Sequence, residues 1–284
     1  MTTPQGNLVL RRHEALVVRR VAEEAARSAG AISRSRFGSS HGVDATFDHD
    51  VKLDVDRACE TAALDVIRSR FPTHAILSEE CGYEMGRGGD RVWIVDPLDG
   101  TVNFHHGLPL FCTSVACYEI ADGAKSGSPR LPDGRSLGEP VAAAVYDPLR
   151  DEMFTGTAGR SAFLNQMPLP ELAPRGISEV VIAVSFSARE ESLAVLDRTI
   201  PALTIAAQKV RSLGCTALEL SMVAAGRIGG FLQIGTNLWD FAGGAAVVQA
   251  AGGKFEARPC DHGRWQVTAG APGVFEELCR AAQS

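Results

Sequence analysis

The chain has 284 residues, enough for one large or two medium domains with a substantial core, and its 45 % apolar and 22 % charged content is ordinary for a globular protein in water. A formal net charge of −6 with no sustained basic stripe argues against a nucleic-acid polymer as the main partner, so an anionic substrate would need bound cations to reverse the local field. Seven scattered cysteines without a C-x-x-C pair suit reduced thiols in a cytoplasmic setting, and the absence of any long apolar run speaks against a membrane span.

In chain order, apolar residues at helical spacing (Leu16, Val17, Val21, Ala25) predict a long helix over residues 8–29 that ends near Gly30. Residues 31–49 are polar and rich in Gly, Ser and His, and are expected to form a mobile loop. A second helix follows over 56–70, closed by Phe71-Pro72, and residues 75–77 lead as a short strand into Ser78-Glu79-Glu80. Residues 92–95 form a continuously apolar strand. Strands are also expected at 110–120 and 140–146. The Gly-, Ser- and Pro-rich stretch between them, 121–139, reads as a surface insertion rather than a lid. From about 150 the pattern alternates: strand 180–186, helix 189–208, helix 215–226, strand 228–234, helix 240–251, strand 253–256. An α+β N-terminal half (1–148) and an α/β C-terminal half (149–284) are expected, an α/β protein overall.

The segment after strand 92–95 carries the most chemistry. Asp96 and Asp99 flank Pro97 and Leu98, and Pro97 stiffens the turn, so two carboxylates and the Leu98 carbonyl can converge on a hard cation such as Mg²⁺. Gly100 lets backbone N–H groups approach an anion, and Thr101 adds a hydroxyl. The alternative is an Asp-Pro turn that merely caps a helix. Glu79-Glu80 at a strand end is either solvated surface or part of the same site. Asp240, at the start of a helix whose first turns are Ala and Gly, is either a helix cap or a further carboxylate ligand.

Four blocks in order resemble the inositol monophosphatase family of Mg²⁺-dependent, lithium-sensitive phosphomonoesterases: DVKLDVD at 50–56, Ser78-Glu79-Glu80, WIVDPLDGTVNF at 93–104, and WDFAGGAAVVQAAGG at 239–253. The segment 211–227 resembles the family's stretch before the last block, and the likeness spans about residues 10–270. It implies a layered αβαβα sandwich with the site between the two halves. It implies that Glu79, Asp96, the Leu98 carbonyl, Asp99 and Asp240 hold two Mg²⁺ ions, with Asp50 and Glu80 at a third ion or in support. By the same likeness Thr101, hydrogen-bonded to Asp56, orients the attacking water with help from Glu79, while Gly100 and Thr101 receive phosphate. Asp99, Asp240, Gly214, Cys215, Thr216 and Gln233 fall where the family lines the substrate pocket. A set without His or Cys favours Mg²⁺ or Mn²⁺ over Zn²⁺.

Departures bear on the substrate. Gln233 stands where inositol phosphatases place a Glu, and Leu53 and Val55 stand where small hydroxyl residues are common, which weakens the case for a third ion. The expectation is a cytoplasmic hydrolase of a polyol or sugar phosphate, most simply of inositol-1-phosphate type. Fructose-1,6-bisphosphatase-like, histidinol-phosphate and 3′-phosphoadenosine 5′-phosphate phosphatases are alternatives, and a non-catalytic binding protein is another. The likeness implies a homodimer, for which the apolar strands 140–146 and 180–186 are candidate surfaces. Cys215 has no paired His to make it a nucleophile, and His105 and His106 read as loop residues.

Overall fold

The structure, a computed structural model, describes residues 4–39, 43–47, 50–121, 128–158, 161–186 and 190–282; the side chains of 4–12, 43–47, 50–52, 190–192, 194 and 261 are not among them. The first part of the chain runs α1 (Pro4–Arg36), β1 (Val43–Phe47), β2 (Asp50–Leu53), α2 (Asp54–Arg70), β3 (Ala75–Ser78), β4 (Gly82–Glu84), β5 (Arg91–Asp99), the short α3 (Thr101–His105), β6 (Cys112–Ala121), β7 (Ser136–Asp147), β8 (Glu152–Thr157), β9 (Ser161–Leu164) and β10 (Met167–Pro168). The second part runs β11 (Val181–Phe186), α4 (Glu190–Ala206), β12 (Lys209–Arg211), α5 (Thr216–Ala224), β13 (Gly230–Thr236), α6 (Leu238–Ala250), β14 (Lys254–Pro259), β15 (Trp265–Gly270) and α7 (Val274–Ala281).

Two sheets result. One has eight strands in the order β10-β9-β8-β7-β6-β5-β3-β4, the other five in the order β12-β11-β13-β15-β14, and β1-β2 form a separate hairpin. Alternation along β5 sends Trp93 and Val95 into a core shared with α1 and α2, and Val92 and Ile94 into a second core shared with α5, α6 and the five-stranded sheet. A third core, with Ile182, Val184 and Leu232, lies under α4 and α7. Helices therefore cover both outer faces and fill the middle, which is the expected αβαβα sandwich.

The middle layer is tight because α6 is almost bare of side chains where it crosses the first sheet. A Cβ on Gly243 would collide with Ser114 Oγ, and one on Gly244 would stand 2.5 Å from Leu220 Cβ and 3.0 Å from the Ala217 carbonyl. Gly30 serves α1 in the same way: a Cβ there would lie 2.5 Å from the Tyr146 ring. Hence α1 does not stop at Gly30 as expected but continues to Arg36, with Ser33 fully buried and its hydroxyl donating to the Gly30 carbonyl. The expected loop 31–49 is accordingly helix at one end and the strand β1, paired with β2, at the other.

Other boundaries also move. The strands after residue 148 continue the first sheet, because β8 pairs antiparallel with β7 and β9 with β8; the change of sheet comes only with β11. Within the stretch 121–139, residues 122–127 lie outside the described residues. The rest is anchored: Leu131 is buried, Tyr83 and Arg135 both reach the Asp133 carboxylate, and β7 already starts at Ser136. The apolar strands offered as partner surfaces are interior ones. β7 lies between β6 and β8 and β11 between β12 and β13, so their apolarity is consumed within the chain. Among the described residues no helix is long and apolar enough to cross a membrane.

The close approach of α6 can be tested directly. Gly243→Ala or Gly244→Ala should lower stability by about 1–3 kcal/mol through overpacking, although Ala is the better helix former by about 1 kcal/mol. Urea unfolding measures it, and an unchanged midpoint in both variants would contradict the packing described.

Candidate active site

Asp96 and Asp99 are three residues apart, a spacing that in a regular strand sends side chains to opposite faces. The register of β5 against β6 resolves this: Asp96 pairs with Ser114 and Asp99 with Cys112, so one extra residue is bulged out on β5. The bulge returns Asp99 to the face of Asp96, toward the middle layer, while Leu98 turns into the core under α1 and α2. The Asp96 carboxylate accepts from Leu98 N–H at 3.1 Å, and Thr113 Oγ1 donates to the Pro97 carbonyl at 2.9 Å, fixing the bulge from both sides.

Glu79 follows β3, which is parallel to β5, and its N–H donates to the Val95 carbonyl at 3.3 Å, next to Asp96. The turn that carries it is held by Glu60 of α2, whose carboxylate accepts from Ser78 Oγ and from the N–H groups of Glu80 and Cys81, each at 3.1 Å. Asp240 is not the cap of α6. Asn237 is, and Asp240 is the third helical residue, accepting at Oδ2 from Thr236 Oγ1 at 2.6 Å and Asn237 N–H at 2.8 Å.

These carboxylates converge. Burial raises the Asp96 carboxyl well above the ordinary range, and the charges of Glu79, Asp99 and Asp240 push it further the same way. Asp99 is pushed up to about 7 by burial and by Asp240, against hydrogen bonds from Ala217 N–H at 2.6 Å and from Cys215. Asp240 is also raised, first by burial. Among the described residues no Lys or Arg forms an ion pair with Asp96, Asp99 or Asp240. The Arg264 charge pulls the Asp240 carboxyl down, but burial outweighs it; clustered buried acids of this kind fit hard divalent cations, so the donor set tests well against Mg²⁺.

The remaining site residues take these places. Gly100 has φ of 88°, and a Cβ would lie 2.8 Å from the Leu110 carbonyl, so only glycine fits this start of α3. Thr101 Oγ1 donates to the Leu98 carbonyl at 2.9 Å, so in this structure its proton goes there rather than to Asp56. Asp56, buried at the third position of α2, accepts from Leu53 N–H at 2.7 Å. Asp50 lies on β2, its side chain outside the described residues; Glu80 sits half-buried on the turn held by Glu60. Across the cleft, Gly214 is exposed, Cys215 and Thr216 are buried at the start of α5, and Thr216 Oγ1 donates to Gln233 Oε1 at 2.7 Å.

Four supporting residues escaped the sequence reading. Glu60 sits on the buried stripe of α2 with Asp56, Leu64 and Ile67, and a charge on that stripe was its only signal. Asn103, inside the motif, donates to the Leu110 and Leu213 carbonyls at 2.9 and 2.8 Å and so ties α3 to the start of α5. Glu219, fully buried, accepts from Leu213 N–H at 3.1 Å, and burial pushes its carboxyl up to about 7. Cys112 lies against Asp99. Two thiols, those of Cys112 and Cys215, therefore touch one of the carboxylates, although neither is among the five expected ligands.

The pattern of the inositol monophosphatase family matches residues 15–129 and 135–284. Proteins named Nus factor SuhB from Salmonella typhimurium and Escherichia coli (strain K12) are each 36 % identical over 236 residues, covering 82 % of this chain and 82 % of theirs. Among solved structures, the extragenic suppressor protein suhB of Bartonella henselae superposes with a TM-score of 0.82 at 29 % identity, covering 94 % of this chain and 99 % of that one. An inositol monophosphatase from Anabaena (Nostoc) sp. PCC 7120 gives a TM-score of 0.77 at 30 % identity, over 94 % and 96 % of the two chains. With its acidic cluster, layered sandwich and matches over nearly its whole length, this chain belongs to the inositol monophosphatase family.

Proposed function

We propose that the protein is a Mg²⁺-dependent phosphatase that hydrolyses the phosphate monoester of a polyol or sugar, of inositol-1-phosphate type. The observation that carries the reading is the convergence of the charges of Glu79, Asp99 and Asp240 on buried Asp96. Glu79, Asp96, the Leu98 carbonyl, Asp99 and Asp240 would hold the ions. When bound, Mg²⁺ supplies Lewis acidity to phosphate oxygens and lowers the pKa of water.

The chain's own residues then orient the reactants. The N–H groups of Gly100 and Thr101 offer donors to the phosphate, on a backbone turn that a side chain at 100 would destroy. Thr101 Oγ1, anchored on the Leu98 carbonyl, would accept a hydrogen bond from the attacking water and orient it, while the Glu79 carboxylate would take its proton, with Asp56 in support. Because Thr216 donates to Gln233 Oε1, the Gln233 amide keeps its N–H groups for the leaving alcohol. That favours an alcohol with acceptor oxygens over one that must donate.

A second reading, a binding protein whose work needs no turnover, is favoured by one observation: the relatives at 36 % identity carry the name Nus factor. Phosphate release across inositol phosphates, histidinol phosphate, fructose bisphosphate and phosphoadenosine phosphate, with and without Li⁺, separates the two. Asp96→Asn should lower turnover by about 10²–10³-fold, the scale on which a lost charge-stabilising group costs catalysis. Full turnover in that variant would remove the carboxylates from the chemistry. Gln233→Glu should shift preference toward inositol monophosphate by roughly tenfold, the worth of one charge-assisted hydrogen bond.

Linkage gives an independent test. The folded-state carboxyls of Asp96 and Asp99 both lie above the unfolded value, near 4, so their contribution to stability is full below that pH and falls as pH rises; that of Asp99 is lost as pH rises through about 7. The melting temperature of metal-stripped protein should fall between about pH 5 and pH 7.5, and the rise on adding Mg²⁺ should be larger at the upper value. Asp99→Asn should flatten both trends. An equal Mg²⁺ effect at the two pH values in thermal unfolding would contradict the cation assignment.

A further inference from the structure

Cys112 and Cys215 come from different halves of the molecule, β6 of the first sheet and the residue that precedes α5, yet their sulfurs lie 3.6 Å apart. Both face the same oxygen: Asp99 Oδ2 is 3.3 Å from Cys215 Sγ and 3.8 Å from Cys112 Sγ. All three residues are buried, the thiols at 0 and 1 % exposure, and their donor atoms form a compact group of the kind that can hold a metal. The edges of this triangle decide which metal. A tetrahedral Zn²⁺ with Zn–S of about 2.3 Å and Zn–O of about 2.0 Å has S···S edges near 3.8 Å and S···O edges near 3.5 Å. The three observed separations match those edges to within about 0.3 Å. A Mg²⁺ ion, which takes oxygen ligands in an octahedron, has no use for the two sulfurs.

We propose that Cys112, Cys215 and Asp99 form a second metal site, for a thiophilic d¹⁰ cation such as Zn²⁺, which competes with the Mg²⁺ cluster for Asp99. The scaffold holds each ligand in place. Asp99 and Cys112 are cross-strand partners at the β5 bulge, and Ala217 N–H fixes the Asp99 carboxylate from α5. Binding replaces two thiol protons, released to solvent, by one cation; no electron is transferred. The metal must displace those protons, since burial holds the Cys112 thiol up at about 11, and a coordinating thiol is deprotonated outright. The fourth position is left for water or for the Asp99 carbonyl, 3.4 Å from Cys215 Sγ. Zn²⁺ binds such a set far more tightly than Mg²⁺ does any oxygen set, so micromolar Zn²⁺ is expected to suppress a Mg²⁺-dependent activity; this consequence, unlike the site itself, rests on the proposed function.

The test uses the full-length, metal-stripped protein, titrated with Cd²⁺ as a spectroscopic stand-in and with Zn²⁺ counted by equilibrium dialysis in excess Mg²⁺. The expected result is a sulfur-to-Cd²⁺ charge-transfer band of two thiolates and one Zn²⁺ retained per chain. Cys112→Ala should remove the band and weaken Zn²⁺ retention by about 10–100-fold or more. A variant with Cys81, Cys260 and Cys279 all changed to Ser should keep both. No band in the unaltered protein, or a band that survives Cys112→Ala, would overturn the proposal; the first outcome needs no variant to fold, and Cys112→Ser serves if Cys112→Ala does not. Band present with no hydrolysis of any phosphate ester sinks the functional reading alone, and hydrolysis without a band sinks this one alone. If both are present, saturating Zn²⁺ should abolish phosphate release from the unaltered protein, and turnover that persists would overturn the competition for Asp99.

Discussion

Like charges held side by side in a buried cleft are the constraint on which this molecule is arranged. Asp96, Asp99 and Asp240 repel one another where water cannot screen them, and the fold concentrates rather than relieves that repulsion. What offsets it locally is a set of backbone donors. Ala217 N–H serves Asp99, Asn237 N–H serves Asp240 and Leu98 N–H serves Asp96. These hydrogen bonds aim the carboxylates but leave the cluster acidic, which is the condition for binding cations.

The same donors join the two halves. Asp99 leaves the first sheet and ends on the first turn of α5; Asn103 leaves α3 and ends on the carbonyls before α5; α6, with Asp240 at its third position, is wedged between the sheets by two glycines. Packing and chemistry are thus not separable layers here. The closeness of α6 to Ser114 and Leu220 is what brings the Asp240 carboxylate within range of Asp96, and a looser middle layer would dilute the site before it unfolded the protein.

Much of this was legible in the order of the residues. The acidic blocks, the apolar strand before Asp96 and the helix after Trp239 have local signatures that survive without a structure. Contacts between distant segments do not. Gly30 reads as a stop signal, but packing against Tyr146 makes it the one residue the helix can tolerate there. Residues 150–168 read as the start of an alternating pattern, whereas pairing with β7 decides their sheet. Cys112 looks like one more apolar strand residue until the register puts it opposite Asp99, and Glu60 looks like a surface acid until the turn around Glu79 closes over it.

The bulge in β5 has an evolutionary corollary. Deleting one residue between Asp96 and Asp99 would restore an unbroken ladder with both carboxylates still on one face, a gain in regularity that strand pairing alone would favour, but it would remove the bulged turn whose Leu98 N–H serves Asp96 and whose Leu98 carbonyl holds Thr101. Inserting one while the single-residue bulge is kept would instead turn the second carboxylate into the apolar layer beneath α1 and α2. The motif's length is therefore frozen even where its individual residues can drift, and a relative that had abandoned the chemistry would be expected to show it first as a change of spacing at this point.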